Sequence, residues 1–193
     1  MSSEQAEPTG RPGRYNRSAA GLVSSLVVTV LGIGAVLYFM SNFRNDFEAT
    51  PESIDYLATV ESAQQAGLSP VYPAALPEGW IATRVDVEPG DDASFQISLL
   101  TEGNRYVGIR LEDATIPALL AARVDEKTEP ADGYTVPDDV RRPVARTWKG
   151  YTDDGGDTAY AAERGDETVL VYGSASAKDL QSVIDSLSTE PLG

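Results

Sequence analysis

The stretch from Ala19 to Met40, AAGLVSSLVVTVLGIGAVLYFM, constrains this chain more than any other. No charged residue interrupts the sequence between Arg17 and Arg44. As a helix its 22 residues would extend about 33 Å, close to the roughly 30 Å hydrocarbon core of a bilayer. A buried soluble helix of this length normally carries a polar stripe. Here the polar side-chain atoms are hydroxyls (Ser24, Ser25, Thr29, Tyr38) that can bond back to the preceding turn. The segment reads as a single transmembrane helix.

Its flanks set an orientation. Arg11, Arg14 and Arg17 precede it, whereas Arg44 is followed by Asp46, Glu48, Glu52 and Asp55. The bias of basic residues predicts a cytoplasmic N-terminus, with residues 45–193 outside the cytoplasmic membrane. Tyr38, Phe39, Phe43 and Phe47 fit an aromatic belt at the outer interface. A cleaved signal peptide would have a shorter apolar core and a small-x-small site, and no A-x-A follows Tyr38. An uncleaved signal anchor is therefore expected. Gly21, Ser25, Thr29 and Gly32 fall near one helix face, a spacing that allows a helix-mediated dimer.

Beyond the anchor lie about 145 residues, enough for one domain with its own core. The boundaries read as a disordered cytoplasmic tail over 1–17, an anchor over 18–43, a linker with a helix over 44–70, and an extracytoplasmic domain over 71–193. A formal net charge of −15 argues against nucleic acid as a partner. The chain has no cysteine and no histidine. No disulfide framework exists, and Ser-His-Asp, Cys-His and most zinc chemistry is excluded. No cofactor motif is present.

Thr50-Pro51-Glu52 has the form of a helix start, with a threonine cap and proline at the first position, and Gly67 would close that helix. Pro70, Pro73 and Pro77 then impose an extended path. Ile81 to Val87, Phe95 to Leu99 and Val107 to Leu111 each alternate apolar and polar residues, the signature of a half-buried antiparallel sheet. Ile116 to Val124 predicts a helix, and Lys127 to Asp139, broken by Pro130, Gly133 and Pro137, predicts a loop. Val144 to Tyr151, with Trp148 inward, and the hairpin Thr158–Arg164 and Thr168–Tyr172 supply three more strands. Ser176 and Asp179 resemble a capping box, and Leu180, Val183, Ile184 and Leu187 form one apolar helical face. The expected fold is α+β: a transmembrane helix, then an antiparallel sheet with flanking helices in the order βββα-βββα.

Four stretches carry a family resemblance: Tyr15 to Leu22 (YNRSAAGL), Leu76 to Trp80 (LPEGW), Tyr106-Val107-Gly108, and Val171 to Ala175. On these the chain resembles a family of uncharacterised actinobacterial single-pass membrane proteins, known as a domain of unknown function, over roughly residues 14 to 188. The resemblance implies placement in the cell envelope and brings no catalytic residues. The LPEGW motif is also similar to one in PsbP-like domains, which share an antiparallel sheet flanked by helices.

Asp153, Asp154 and Asp157 on a glycine-rich turn could hold Ca²⁺, but such a site needs 6–8 oxygens and this turn offers three carboxylates, so a solvated hairpin is expected. Trp80 and Trp148 could line an apolar ligand groove; core packing is the more frequent fate of tryptophan beside a strand. Gly173 to Ser176 joins a strand to a helix N-terminus and reads as capping rather than an anion site. Arg141-Arg142 would end a solvated loop. Two functions remain. One is a binding or scaffold module of the cell envelope, contacting an envelope protein or an apolar ligand. The other is a hydrolase using two carboxylates, with Glu112 and Glu163 as its best pair. The missing histidine and cysteine favour the module.

Overall fold

The computed structural model describes residues 26–27, 29–34, 36, 51–90 and 93–192. It divides into two compact units, up to Thr50 and from Pro51. The expected cytoplasmic tail, most of the expected anchor and the start of the linker lie outside the described residues. Within the first unit the described residues from Leu26 to Val36 are helical. Leu26, Val27, Val30, Leu31, Ile33 and Val36 are each more than half exposed. No helix among the described residues is long and apolar enough to cross a membrane, and the stretch from 19 to 40 is only partly among them.

The second unit is α+β. Its elements are α1 (Tyr56–Gln65), β1 (Tyr72–Pro73), β2 (Ile81–Glu88), β3 (Ser94–Leu100), β4 (Tyr106–Glu112), α2 (Ile116–Arg123), β5 (Thr128–Thr135), β6 (Thr147–Asp153), β7 (Thr158–Arg164), β8 (Glu167–Gly173), α3 (Ala177–Ser186) and β9 (Leu187–Ser188). Seven strands form one antiparallel sheet in the order β2-β3-β4-β8-β7-β6-β5, and β1 pairs with β9 apart from it. The turn before β4 needs a left-handed residue, which Asn104 supplies at φ 55°. β4 then pairs with β8, so the three-stranded and four-stranded halves join at their inner strands.

One sheet face carries the main core. Ile97, Leu99, Val107, Ile109, Val169 and Val171 lie beneath α1 and α3, with Val60, Leu180, Val183 and Ile184 fully or almost fully buried. Each such side chain contributes about 1.5–3 kcal/mol by leaving water. The opposite face is covered in its middle by α2, whose Ile116, Leu119 and Leu120 pack on Ala159, Ala161, Leu170 and Tyr172. The alanines that make β7 a weak strand by propensity let α2 sit close.

Several expectations are corrected. The sheet is not half-buried throughout: β4 and β8 are buried on both faces along most of their length. Residues 128–135, expected as loop, form β5, giving the order βββα-ββββα. Proline is tolerated there because β5 is an edge strand, and a register shift between Ala131 and Tyr134 absorbs Gly133. Helix α1 begins at Tyr56 instead of at Pro51. Asp55 is its cap, accepting from Ala58 N at 3.3 Å, while Ile54 N donates to Ala82 O at the edge of β2. Gly67 closes α1 at φ +87°, as its position implied. Where a linker helix was expected, α1 buries Tyr56, Val60 and Ala63 in the core of the unit.

Candidate functional site

The alternation that places valine, isoleucine and leucine on the core face puts polar residues on the other. Strand register aligns them in rows: Glu88, Ser94 and Glu112; then Asp86, Gln96 and Arg110; then Arg84, Ser98 and Gly108. A fourth row of Ile81, Leu100 and Tyr106 closes one end. Helix α2 covers the middle of this face and leaves the rows over β2–β4 open. The result is a polar groove of about 400 Å3, walled on one side by Arg123 of α2.

Arg110 organises the floor. Its side chain is only 5% exposed, so its charge must be met locally. Nε donates to Glu112 Oε2 (2.6 Å), Nη1 to Gln96 Oε1 (3.1 Å) and Nη2 to Ser94 Oγ (3.0 Å). Ser94 Oγ in turn donates to Glu88 Oε2 (2.7 Å), which also lies 3.6 Å from Arg110 Nη2. The Ser94 hydrogen bond, and then the Arg110 charge, hold the Glu88 carboxyl below the usual range. Arg123 Nη2 is 3.7 Å from Glu112 Oε2, and Arg84 Nε donates to both oxygens of Asp86 (2.8 and 2.6 Å). Acids and guanidiniums therefore alternate across the groove.

At the other end hydroxyls take over. Gln96 Nε2 reaches Ser98 Oγ at 3.5 Å, Ser98 Oγ lies 3.4 Å from Tyr106 OH, and Tyr106 OH lies 3.5 Å from Tyr172 OH. The two rings meet edge to face at 5.8 Å. Gly108 makes this possible, since a Cβ there would meet Tyr172 Cε1 at 2.6 Å and Tyr106 OH at 2.7 Å. Burial, followed by the contact with Tyr106, raises the Tyr172 phenol above its ordinary value.

Apart from Glu112, the residues singled out from sequence lie elsewhere. Trp148 is a core residue, 3% exposed, with Nε1 donating to Ala145 O at 3.1 Å. Trp80 packs half-buried against the same core at the start of β2. In the sheet order β2 and β6 are five strand positions apart. Asp153 Oδ1 accepts from Asp157 N at 2.8 Å, closing the hairpin around Asp154. Among the described residues no group of three or more His, Cys, Asp or Glu is placed to hold a metal ion. Ser176 Oγ accepts from Asp179 N at 3.2 Å, so the strand-to-helix junction is a cap, and Ser174 Oγ accepts from Tyr106 N at 3.1 Å. Arg142, at φ 52°, pairs with Glu190 at 2.9 Å beside an open hollow of about 590 Å3.

Glu112 and Glu163 share a face two strands apart, but they do not share a cleft. Between them Thr168 is buried, its Oγ1 donating to Ala114 O at 2.6 Å, so the start of α2 crosses the gap. Glu112 Oε2 is taken by Arg110, and exposed Glu163 lies 3.8 Å from Lys149. The groove itself escaped sequence reading. Its signal was present in the charges at alternate positions of β2 and β4, Arg84/Asp86/Glu88 and Arg110/Glu112, which become complementary once β3 aligns them.

The family described as a protein of unknown function, DUF4245, matches residues 14–187. The chain belongs to the DUF4245 family. The matched span takes in the apolar segment and every element from α1 to α3. A comparison with curated proteins gives no match. Within this DUF4245 chain the groove of β2–β4 is built around Arg110, the one arginine or lysine among the described residues that is buried.

Proposed function

We propose that this DUF4245 protein is a membrane-anchored module of the cell envelope, displayed outside the cytoplasmic membrane, that binds a ligand in the groove of β2–β4. The observation that carries the reading is Arg110: a guanidinium taken out of water and oriented by Glu112, Gln96 and Ser94 at the floor of an open groove. Such preorganisation lowers the ordering cost of binding. The anchor rests on the uncharged stretch 19–40, on the exposed apolar side chains from Leu26 to Val36, and on the arginines before it. The hydrolase alternative is disfavoured by the separation of Glu112 from Glu163 by the covered Thr168.

Two measurements test this. Protease added to intact spheroplasts should cleave residues beyond 45; protection until lysis would reverse the orientation. Envelope extract should raise the melting temperature of the detergent-solubilised full chain, and Arg84→Gln with Asp86→Asn should remove that shift. Equal stabilisation of the variant would move the binding surface out of the groove.

A further inference from the structure

The open hydrogen-bonding valence of the groove is mixed. Arg84 donates through Nε alone, so the N–H groups on its Nη1 and Nη2 have no partner among the described residues. Beside it, Asp86 accepts only from that Nε, and Glu88 Oε1 accepts from no described group. Arg123 is engaged only by the 3.7 Å approach to Glu112. Free donors and free acceptors thus stand side by side at the mouth. Three guanidiniums (Arg84, Arg110, Arg123) face three carboxylates (Asp86, Glu88, Glu112), so the formal charges cancel.

This balance selects among ligand classes. An anion offers acceptors only and would approach Asp86 and Glu88, in a chain whose net charge is already −15. A cation would meet Arg84 and Arg123. An apolar ligand would strip water from paired but incompletely bonded charges without replacing it. A hydroxyl donates and accepts at once, and adjacent hydroxyls on a ring can bridge a guanidinium to a carboxylate. The row adjoining the Arg84 and Ser98 end of the groove is suited to the remaining face of such a ring. There Ile81, Leu100 and half-buried Tyr106 form an apolar and aromatic row beside the polar ones.

We propose that the groove binds a neutral, hydroxyl-rich ligand of the saccharide class. Its hydroxyls bridge Arg84 to Asp86 and Glu88, and its apolar ring face lies toward Tyr106 and Leu100. The proposal rests on the groove being the ligand site, and it names what that site takes.

The test uses the full chain in a detergent without a sugar headgroup, probed with an array of neutral and acidic glycans and with inorganic phosphate and citrate. Neutral glycans should be retained. Arg84→Gln and Asp86→Asn, both on the edge strand β2, should each weaken retention about tenfold, as expected for losing a hydrogen bond to a charged group. Raising salt should change affinity less than about twofold, since no net charge is neutralised. Retention of acidic glycans or phosphate alone, lost in Arg84→Gln, would refute the ligand class and leave the groove standing as the site. Retention of no probe, or retention untouched by both substitutions, would overturn both the ligand class and the site.

Discussion

Replacing Arg110 with methionine keeps an apolar stem about as long as the arginine chain out to Nε and removes the guanidinium. The loss can be worked from its partners. Gln96 Oε1, half-buried, and Ser94 Oγ, buried, are neutral acceptors left without a donor, at about 1 kcal/mol each. Glu112 loses its 2.6 Å bond, but its side chain is 27% exposed and Arg123 stays within 3.7 Å. That contribution is discounted for solvent to about 1 kcal/mol. Glu88 is solvated and is assigned none. Against these, methionine relieves the cost of keeping a charge out of water. The net expectation is a destabilisation of about 2 kcal/mol, or a fall in melting temperature of roughly 5–8 °C for a unit of this size. Urea denaturation followed by tryptophan fluorescence reads it directly, because Trp148 is buried. A double-mutant cycle with Glu112→Gln isolates the pair and should return a coupling of about 1 kcal/mol. Wild-type stability in Arg110→Met, with strict additivity in the cycle, would refute the buried network and the preorganisation argued from it.

Trp148→Ala should cost about 3–5 kcal/mol as a large core truncation, and an unchanged denaturation midpoint would put the ring on the surface. A version of the chain beginning at Leu68 should be less stable than one beginning at Pro51 by at least about 4 kcal/mol, since it lacks the buried Tyr56, Val60 and Ala63 of α1; equal midpoints would make α1 a linker after all. Stability should also fall in alkali. Burial, then the hydrogen bond to Asp185, pushes the Tyr134 phenol up to about 12 from an ordinary value of 10.0. The folded state therefore keeps a proton that the unfolded state releases, and the contribution is whole below pH 10 and lost as pH rises through about 12. A tyrosinate absorbance titration should show the late ionisation lose one tyrosine's amplitude in Tyr134→Phe, with the raised Tyr56 and Tyr172 phenols remaining; an unchanged late amplitude would refute the assignment.

How much of the fold and the groove was legible depended on how far apart the interacting residues lie. The strands β2, β3 and β4, the cap at Ser176 and the apolar face of α3 are written in neighbours. Alternation with period two and a hydroxyl three residues before its amide both act within a few positions of the chain. The inward side of Trp148 came from the same alternation. β5 was not legible because Pro130 and Gly133 are strand breakers in isolation. They become tolerable only when the strand has no outer neighbour, and position in the sheet is not a local property. The start of α1 shifted for a similar reason, as Ile54 is drawn to the edge of β2, which lies beyond the reach of a local helix signal.

The amino-acid sequence by itself determined the uncharged stretch from Ala19 to Met40, the missing imidazole and thiol, and the polar and apolar sides of β2, β3 and β4. Tertiary structure alone decided which polar side would be exposed and which buried. Arg110 and Arg84 occupy equivalent alternating positions in their strands. One is enclosed and the other open because β4 pairs with β8, which brings Tyr172 against Tyr106 from 66 residues away and seats α2 over the centre of the sheet. A guanidinium so enclosed must find its partners on neighbouring strands, and the groove is the surface those partners make.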